Sequence, residues 1–349
     1  DHRDLHSFPT RRSSDLHVVS LTGLKECEPS SLGAKAVGLA KLMEAGLPVP
    51  KAFCVCAEAY AAHLDALGLP GGIESWIENV RTAPDDVAEQ LLSELRATIA
   101  RSPLDATLLA EIEQAYATLD AAPVAVRSSA TAEDLPGHSF AGQYDTFLGI
   151  VSAPACVEAV KRCWASLWTR RAFEYREKHG IGHGDARMAV IVQTMVNAEA
   201  SGVLFTADPA TGRRDRIVIE ACFGLGEALV SGKVTPDRFV IAKKNGDVTE
   251  HVVGDKQIEA CMTAEGGIIE QAIAGARCTR ECLDADTAVA LARCGGNVEA
   301  LFGVPQDIEW AVHDRKWFLL QSRPITALPA EQSWEDRQVW TNANTGEVL

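Results

Sequence analysis

The hydrophobic positions of this chain change between a helical and a strand period several times along its length. Apolar residues three and four positions apart predict helices at about 33–45, two or three within 73–119, one long helix at about 156–179 and a last one at about 285–302. Continuous or alternating apolar runs predict strands at about 52–56, 188–195, 202–206, 217–220 and 238–242, with a strand-rich stretch at 123–150. This interspersed pattern predicts a mixed α/β (α+β) fold.

The most informative pattern is a pair of alternating segments near the carboxyl end. Residues 306–312 and 317–324 flank a polar turn, which predicts a hairpin centred on Arg315. We expect one face to place Glu309 opposite Gln321 and Asp307 opposite Arg323. The other face would point apolar side chains into the core, namely Ile308, Trp310, Val312, Phe318 and Leu320.

The polar face of this hairpin suggests a ligand. Carboxylate and amide oxygens suit a hard ion such as Mg²⁺, and a guanidinium suits phosphate oxygens. The alternative is a surface hairpin whose cross-strand charges merely pair with each other.

Two further segments offer cations for a phosphate. The apolar run 124–126 ends in Arg127, which is followed by three hydroxyl residues. Lys35 lies at the start of the first predicted helix, where the helix end also attracts anions. Solvated side chains at a strand end and a helix start are the alternative in both cases. No Walker-type segment is present, so the chain is not a P-loop protein.

Glycine-containing segments complete the set of candidates. In residues 140–148, Gly142 allows a backbone to approach a ligand closely and Thr146 offers a hydroxyl. Gly224 and Gly226 have the same potential in residues 220–227. A bulged ribbon and a tight turn explain these glycines equally well.

Composition narrows the class of protein. The net charge of −15 argues against nucleic-acid binding, and no apolar run reaches the length of a membrane span. The ten cysteines are scattered without zinc-site spacing, which favours a reducing cytoplasm and no disulfide framework. We therefore expect a cytoplasmic protein.

Both ends of the chain differ from the rest. Residues 6–16 match, residue for residue, an in-frame translation of a common sequencing-library adapter, so we expect residues 1–16 to be an assembly artefact. Residues 340–349 read as the opening of another domain. We expect one lobe over 17–195, a second with the metal-binding hairpin over 196–327, and a linker with the truncated start of a following domain over 328–349. The chain is then a fragment.

Taken in this order, the segments resemble the N-terminal ATP-binding domain of the pyruvate phosphate dikinase and phosphoenolpyruvate synthase family. The likeness spans about residues 20–327 and implies an ATP-grasp fold, with two lobes and the nucleotide cleft between them. It is carried by the motifs Gly33-Ala34-Lys35, Val126-Arg127-Ser128-Ser129, Phe140-Ala141-Gly142-Gln143, Gly202-Val203-Leu204-Phe205-Thr206, Gly224-Leu225-Gly226-Glu227, Asp307-Ile308-Glu309-Trp310 and Gln321-Ser322-Arg323-Pro324.

The resemblance also implies roles at matching positions, with ATP and Mg²⁺ as the ligands. The implied ATP-binding residues are Lys35, Arg127, Gly142, Thr146, Gln193, Glu309, Gln321 and Arg323. The implied metal ligands are Glu309 and Gln321, with Asp307 in an assisting role.

In the family, this domain passes a pyrophosphoryl group from ATP to a histidine on a downstream domain, with AMP and phosphate released. No segment here matches that histidine, so the resemblance implies no catalytic residue in this chain and makes downstream phosphohistidine and acceptor-binding domains its partners. Residues 339–348 resemble the start of the middle domain of rifampicin phosphotransferases. The expected acceptor is thus pyruvate or an antibiotic such as rifampicin. The alternative is a nucleotide-binding regulatory module without catalytic partner domains.

Overall fold

The computed structural model describes residues 17–22, 29–119, 122–131, 144–184, 186–326 and 328–329. The predicted adapter segment, Gly142 with its motif, and nearly all of 328–349 lie outside the described residues. Contacts divide the chain into two compact units. Among the described residues, the first unit comprises those up to Asn197 together with Cys261–Glu270 and Phe318–Gln321, and the second comprises Ala198–Ala260, Gln271–Trp317 and those from Ser322 onward.

The first unit is built on an antiparallel sheet with the strand order β1-β2-β5-β3-β4. Its strands are β1 (Val18–Ser20), β2 (Ala52–Val55), β3 (Val124–Ala130), β4 (Thr146–Ile150) and β5 (Met188–Thr194). Its helices are α1 (Gly33–Glu44), α2 (Ala57–Ala66), α3 (Gly72–Thr82), α4 (Asp85–Arg101), α5 (Ala106–Ala117), α6 (Ala153–Ser166) and α7 (Arg170–His179).

Alternate residues of the central strands form the core of the first unit. Val124 and Val126 of β3 pack with Val190 and Val192 of β5 and with α-helical side chains such as Trp164. Because successive side chains of a strand point to opposite faces, Ala125, Arg127 and Gln193 lie on the other face of the sheet. The face of β3 and β5 that points away from this core therefore carries the polar side chains of Arg127 and Gln193.

The single long helix predicted at about 156–179 is wrong, because two helices, α6 and α7, occupy this stretch. Thr169 separates them in an extended conformation, and its hydroxyl accepts a hydrogen bond from the backbone N–H of Ala172 at 3.3 Å. This is a helix N-cap, which starts α7 in a new direction. No helix in the described ranges is both long and apolar enough to cross a membrane.

The second unit is built on an antiparallel sheet with the strand order β13-β12-β6-β7-β8-β9. Its strands are β6 (Ala200–Phe205), β7 (Arg216–Phe223), β8 (Asp237–Ala242), β9 (Val248–Val252), β12 (Gln306–His313) and β13 (Lys316–Pro324). The second unit also contains α8 (Glu227–Val230) and α9 (Ala285–Phe302). The two-stranded sheet of β10 (Ile258–Met262) and β11 (Ile268–Ala272) has residues in both units, since Cys261–Glu270 belongs to the first. The last predicted helix is confirmed with its bounds.

Helix α9 covers one face of this sheet. It contacts β12, β6, β7 and β8, and its apolar positions are buried, among them Leu291 and Val298. Ile308 and Trp310 of β12 are fully buried, whereas Asp307 and Glu309 are partly exposed. The uncovered face therefore carries the polar residues of β12.

A fully buried ion pair organises the second unit. The side chains of Asp237 and Lys256 are both 0% exposed. One carboxylate oxygen of Asp237 accepts hydrogen bonds from Lys256 Nζ and, at 2.9 Å, from the backbone N–H of Gly254. The other accepts from the N–H of Cys282 at 2.7 Å. Asp237 thus ties the start of β8 to two later segments of the chain.

We predict that Asp237→Asn lowers the free energy of unfolding of the second unit by about 3 kcal/mol or more, because it leaves the charge of Lys256 buried without a counter-ion. Urea unfolding measures this change. The control is Asp215→Asn, which removes a carboxylate that is 54% exposed and pairs with Arg213 and Arg216. That change should cost about 1 kcal/mol or less. Equal effects of the two substitutions would contradict a structural role for the buried pair.

Candidate functional site

The first turn of α1 is joined to the end of β3. Lys35 Nζ donates a hydrogen bond to the carbonyl oxygen of Ser128 at 3.1 Å, and Ser129 Oγ donates to the carbonyl oxygen of Leu32 at 3.0 Å. Ser128 directly follows Arg127 in the chain. The structure therefore places the ammonium of Lys35 against the backbone of the residue that follows Arg127.

This junction depends on Gly33, the first residue of α1. Its φ is +71°, and a Cβ atom built on it would lie 2.4 Å from the carbonyl oxygen of Ser129. No other residue type fits here without displacing the backbone. The glycine of the Gly33-Ala34-Lys35 motif thus permits the close approach that positions Lys35.

Arg127 fixes the segment 319–321 on the first unit. Its Nη2 donates to the amide oxygen of Gln321 at 2.8 Å, and its Nη1 donates to the carbonyl oxygen of Leu320 at 3.3 Å. The N–H of Leu319 donates to the carbonyl oxygen of Pro48 at 2.8 Å. Gln321 is 4% exposed, so its amide is held in a defined place.

Thr146 and Gln193 lie on the same face of the sheet as Arg127. Thr146 is directly opposite Arg127 on β4, and Gln193 of β5 is opposite Ala125, two residues before Arg127. Gln193 is 2% exposed, and within the described part of the chain its Nε2 has no hydrogen-bond partner. A buried amide of this kind needs an acceptor, which a ligand can supply. We call Lys35, Arg127, Thr146, Gln193 and Gln321 the first cluster.

The second cluster, Asp307, Glu309 and Arg323, lies on the β12–β13 hairpin of the second unit. Asp314 and Arg315 have positive φ angles of 49° and 57°, as a two-residue hairpin turn requires. The predicted hairpin is therefore confirmed, but its turn consists of Asp314 and Arg315 and is not centred on Arg315 alone. The predicted pairing of Asp307 with Arg323 is observed as an ion pair. One carboxylate oxygen of Asp307 accepts from Arg323 Nε at 2.9 Å and from Nη2 at 2.7 Å.

The ion pair offsets the cost of burying Asp307. Burial raises the pKa of the Asp307 carboxyl, the charge of Arg323 lowers it, and the neighbouring carboxylate of Glu309 raises it. Arg323 itself is 42% exposed on its side chain. Its guanidinium is thus anchored by Asp307 on a side chain that solvent reaches in part.

The predicted core positions of β13 are wrong in detail. Leu319 is 2% exposed, whereas Phe318 and Leu320 are only partly buried. Gln321 and Ser322 are buried in succession, and Ser322 Oγ donates to Gln306 Oε1 at 2.8 Å. The alternation persists over 318–321 with the opposite phase, because the turn consists of Asp314 and Arg315, and it breaks where Gln321 and Ser322 are both buried.

Sequence reasoning missed one polar residue on the open face of the second sheet. Glu220 of β7 is opposite Val203 of β6, which in turn is opposite Glu309 of β12. Its half-buried position raises the pKa of its carboxyl, and Arg238 on β8 opposes that shift. The apolar residues 217–219 are buried in succession, so no alternation orients Glu220, and only the strand order places it on the face of Glu309.

The donor sets suit a phosphorylated ligand and a hard cation. The first cluster offers an ammonium, a guanidinium, a hydroxyl and two amides, and the second offers carboxylates and a guanidinium. Oxygen donors such as those of Glu309, Asp307 and Gln321 fit Mg²⁺ by their chemistry. Glu199, His313 and Asp314 form an additional exposed group near the hairpin turn, with ligand atoms within 4.8 Å of one another.

Comparison with known proteins agrees with this chemistry. Residues 29–341 match the family described as pyruvate phosphate dikinase, AMP/ATP-binding domain. A phosphoenolpyruvate synthase of Pyrococcus furiosus is 36% identical over 353 residues, covering 88% of this chain and 43% of that protein. A rifampicin phosphotransferase of Streptomyces sviceus is 41% identical over 320 residues, covering 90% of this chain and 36% of that protein.

The name of a third relative refers to a different product, prodigiosin. The prodigiosin synthesizing transferase PigC of Serratia marcescens is 39% identical over 344 residues, which cover 95% of this chain and 37% of that protein. The chain thus spans less than half the length of each of these three relatives.

We predict that Gly33→Ala lowers the free energy of unfolding of the first unit by about 2 kcal/mol or more, because it combines a strained φ with a backbone clash. The matched control is Gly46→Ala, where φ is also +71° but nothing lies within 4 Å of the added Cβ. Its cost should stay near 1 kcal/mol, the penalty of the backbone conformation alone. Urea unfolding midpoints that shift equally in both variants would contradict the close approach of α1 to β3.

Proposed function

The chain belongs to the pyruvate phosphate dikinase AMP/ATP-binding domain family, and from that membership we propose that it binds ATP with a magnesium ion through its two clusters. The observation that carries this proposal is the junction of α1 and β3, where the ammonium of Lys35 is bonded to the residue next to Arg127. Two cations fixed at one place form a binding site for a polyphosphate.

In this proposal four residues of the first cluster hold the nucleotide, and the fifth, Gln321, binds the metal. Lys35 and Arg127 bind phosphate oxygens, while Thr146 and Gly142 shape the pocket. The buried Nε2 of Gln193 supports a hydrogen bond to the nucleotide, because it has no acceptor elsewhere in the described residues.

Both clusters contribute a metal ligand in this proposal, and the second cluster adds a further phosphate contact. Glu309 and Gln321 hold Mg²⁺, which when bound neutralises part of the triphosphate charge. Arg323 binds a phosphate oxygen. Asp307 was expected to assist the metal, but its two hydrogen bonds to Arg323 favour the role of positioning that guanidinium.

We further propose the ATP-grasp arrangement, in which the nucleotide lies in a cleft between an N-terminal lobe, residues 17–195, and a second lobe, residues 196–327. The sequence of β13 supports it, since this one strand carries both Gln321 and Arg323. The combined role of the clusters is electrostatic neutralisation and in-line positioning, which are the main demands of phosphoryl-group transfer.

The reaction that we propose for the whole protein is of the dikinase type. A histidine nitrogen of a downstream domain attacks the β-phosphorus of ATP, the bond between the α,β-bridging oxygen and the β-phosphorus breaks, and AMP leaves. Hydrolysis of the pyrophosphohistidine then releases phosphate, and the remaining phosphoryl group passes to an acceptor. Relatives named phosphoenolpyruvate synthase and rifampicin phosphotransferase suggest pyruvate or an antibiotic as that acceptor.

We predict that Lys35→Met weakens the binding of Mg·ATP to the chain by about tenfold or more, because it removes a charge-assisted bond to a phosphate. Isothermal titration calorimetry measures the dissociation constant. Lys41→Met is the matched control, since Lys41 lies on the exposed side of the same helix. If both variants bind ATP as tightly as the wild type does, Lys35 is not a phosphate ligand.

We predict that Glu309→Ala lowers the rate of AMP formation by about 10²-fold or more in the protein that carries the histidine domain, as expected when a transition-state charge stabiliser is lost. Release of labelled AMP from ATP measures this rate. A wild-type rate would remove Glu309 from the site. Tight ATP binding without any AMP formation by the wild-type protein would favour a regulatory nucleotide-binding module instead.

A further inference from the structure

Two residues with different roles in the proposed site are hydrogen-bonded to each other. The guanidinium of Arg127 donates to the amide oxygen of Gln321 at 2.8 Å, and Gln321 is 4% exposed. In the proposed function Arg127 binds a phosphate of ATP, whereas the same amide oxygen of Gln321 binds Mg²⁺. The proposed metal ligand, Oε1 of Gln321, is therefore the same atom that accepts a hydrogen bond from Arg127.

Binding the guanidinium and a divalent ion to the same amide oxygen of Gln321 places two positive charges close together. A divalent ion at coordinating distance from Oε1 of Gln321 would stand within a few ångströms of a guanidinium that is hydrogen-bonded to the same atom. The repulsion between these positive charges is large where water is excluded, as it is around a buried amide. Binding of the ion thus favours departure of the guanidinium.

The nucleotide offers Arg127 a better partner. An anionic phosphate oxygen is a stronger acceptor for a guanidinium than a neutral amide oxygen. When Arg127 transfers to a phosphate, the amide oxygen of Gln321 becomes available. The backbone of the segment 319–321 stays bound to the first unit through the hydrogen bond from the N–H of Leu319 to the carbonyl oxygen of Pro48, which does not involve Arg127.

We propose that Arg127 and the divalent cation compete for Oε1 of Gln321, so that binding of the triphosphate to Arg127 opens the cation site. This inference rests on the proposed function and adds a coupling to it. Because linkage is reciprocal, the cation must strengthen triphosphate binding by the same factor by which the triphosphate strengthens cation binding. The site would then discriminate against each ligand in the absence of the other.

The substitution Gln321→Leu separates competition from mere positioning. Under competition, ATP without metal binds about threefold or more tightly to this variant, because no charge-assisted hydrogen bond to the amide has to be given up. The additional affinity gained with Mg²⁺ falls at the same time, since a metal ligand is lost. If Gln321 only positions Arg127, metal-free ATP binds more weakly to the variant.

The measurement is the dissociation constant of ATP, obtained by calorimetry once in excess EDTA and once in excess Mg²⁺. Gln114→Leu is the control for the chemical change, because Gln114 is an exposed amide on α5. Thermal unfolding of each variant confirms that it is folded. Metal-free binding to Gln321→Leu that is unchanged or weaker overturns the proposal, whereas a wild-type chain that binds no ATP at all overturns the proposed function instead.

For a second substitution we predict the opposite change in the affinity for metal-free ATP. In Gln321→Glu the carboxylate binds Arg127 more strongly than the amide does, so metal-free ATP should bind at least about threefold more weakly. The gain from Mg²⁺ should rise, because a carboxylate is also a good ligand for this ion. If the leucine and glutamate variants shift metal-free affinity in the same direction, competition is excluded.

Discussion

The guanidinium of Arg127 is the charge around which the candidate site of the first unit is arranged. It lies at the end of a buried strand, and its hydrogen bonds to Leu320 and Gln321 hold a segment that arrives from nearly two hundred residues later in the chain. The carbonyl oxygen of the next residue, Ser128, accepts a hydrogen bond from Lys35, and Thr146 lies opposite Arg127 in the sheet. A change in the direction of this one side chain would alter the surroundings of several predicted ligands.

In the second unit, two carboxylates that are fully or largely buried each form an ion pair with a cationic side chain. Asp237 and Lys256 satisfy each other completely and serve the fold of the second unit. Asp307 is largely buried as well, but the side chain of its partner Arg323 is 42% exposed. This difference separates a structural ion pair from one that can present a cation to a ligand. The same reasoning makes Gln193 informative, because its buried amide has a donor without an acceptor in the described residues.

The parts of the fold that follow from local periodicity were predictable from the sequence. Helix α9 and the β12–β13 hairpin have strong patterns, and the hairpin pattern also paired Asp307 with Arg323. The predictions failed where a longer-range contact decides the outcome. Thr169 divides one apolar stripe between two helices, and Gln321, predicted on the polar face of the hairpin, is buried and bonded to Arg127 of a distant strand. Glu220 joins the face of Glu309 only through the strand order, which no local pattern contains.

The central claim is that Lys35, Arg127 and Gln321 share one Mg·ATP ligand with Glu309 and Arg323. Its most direct test is a crystal structure of the chain with Mn²⁺ and a non-hydrolysable ATP analogue, in which anomalous scattering locates the ion. The account predicts Mn²⁺ bound to the side-chain oxygens of Glu309 and Gln321, with the guanidinium of Arg127 turned to a phosphate. An ion and triphosphate bound away from these residues, or Arg127 still bonded to Gln321 beside a bound ion, would contradict it.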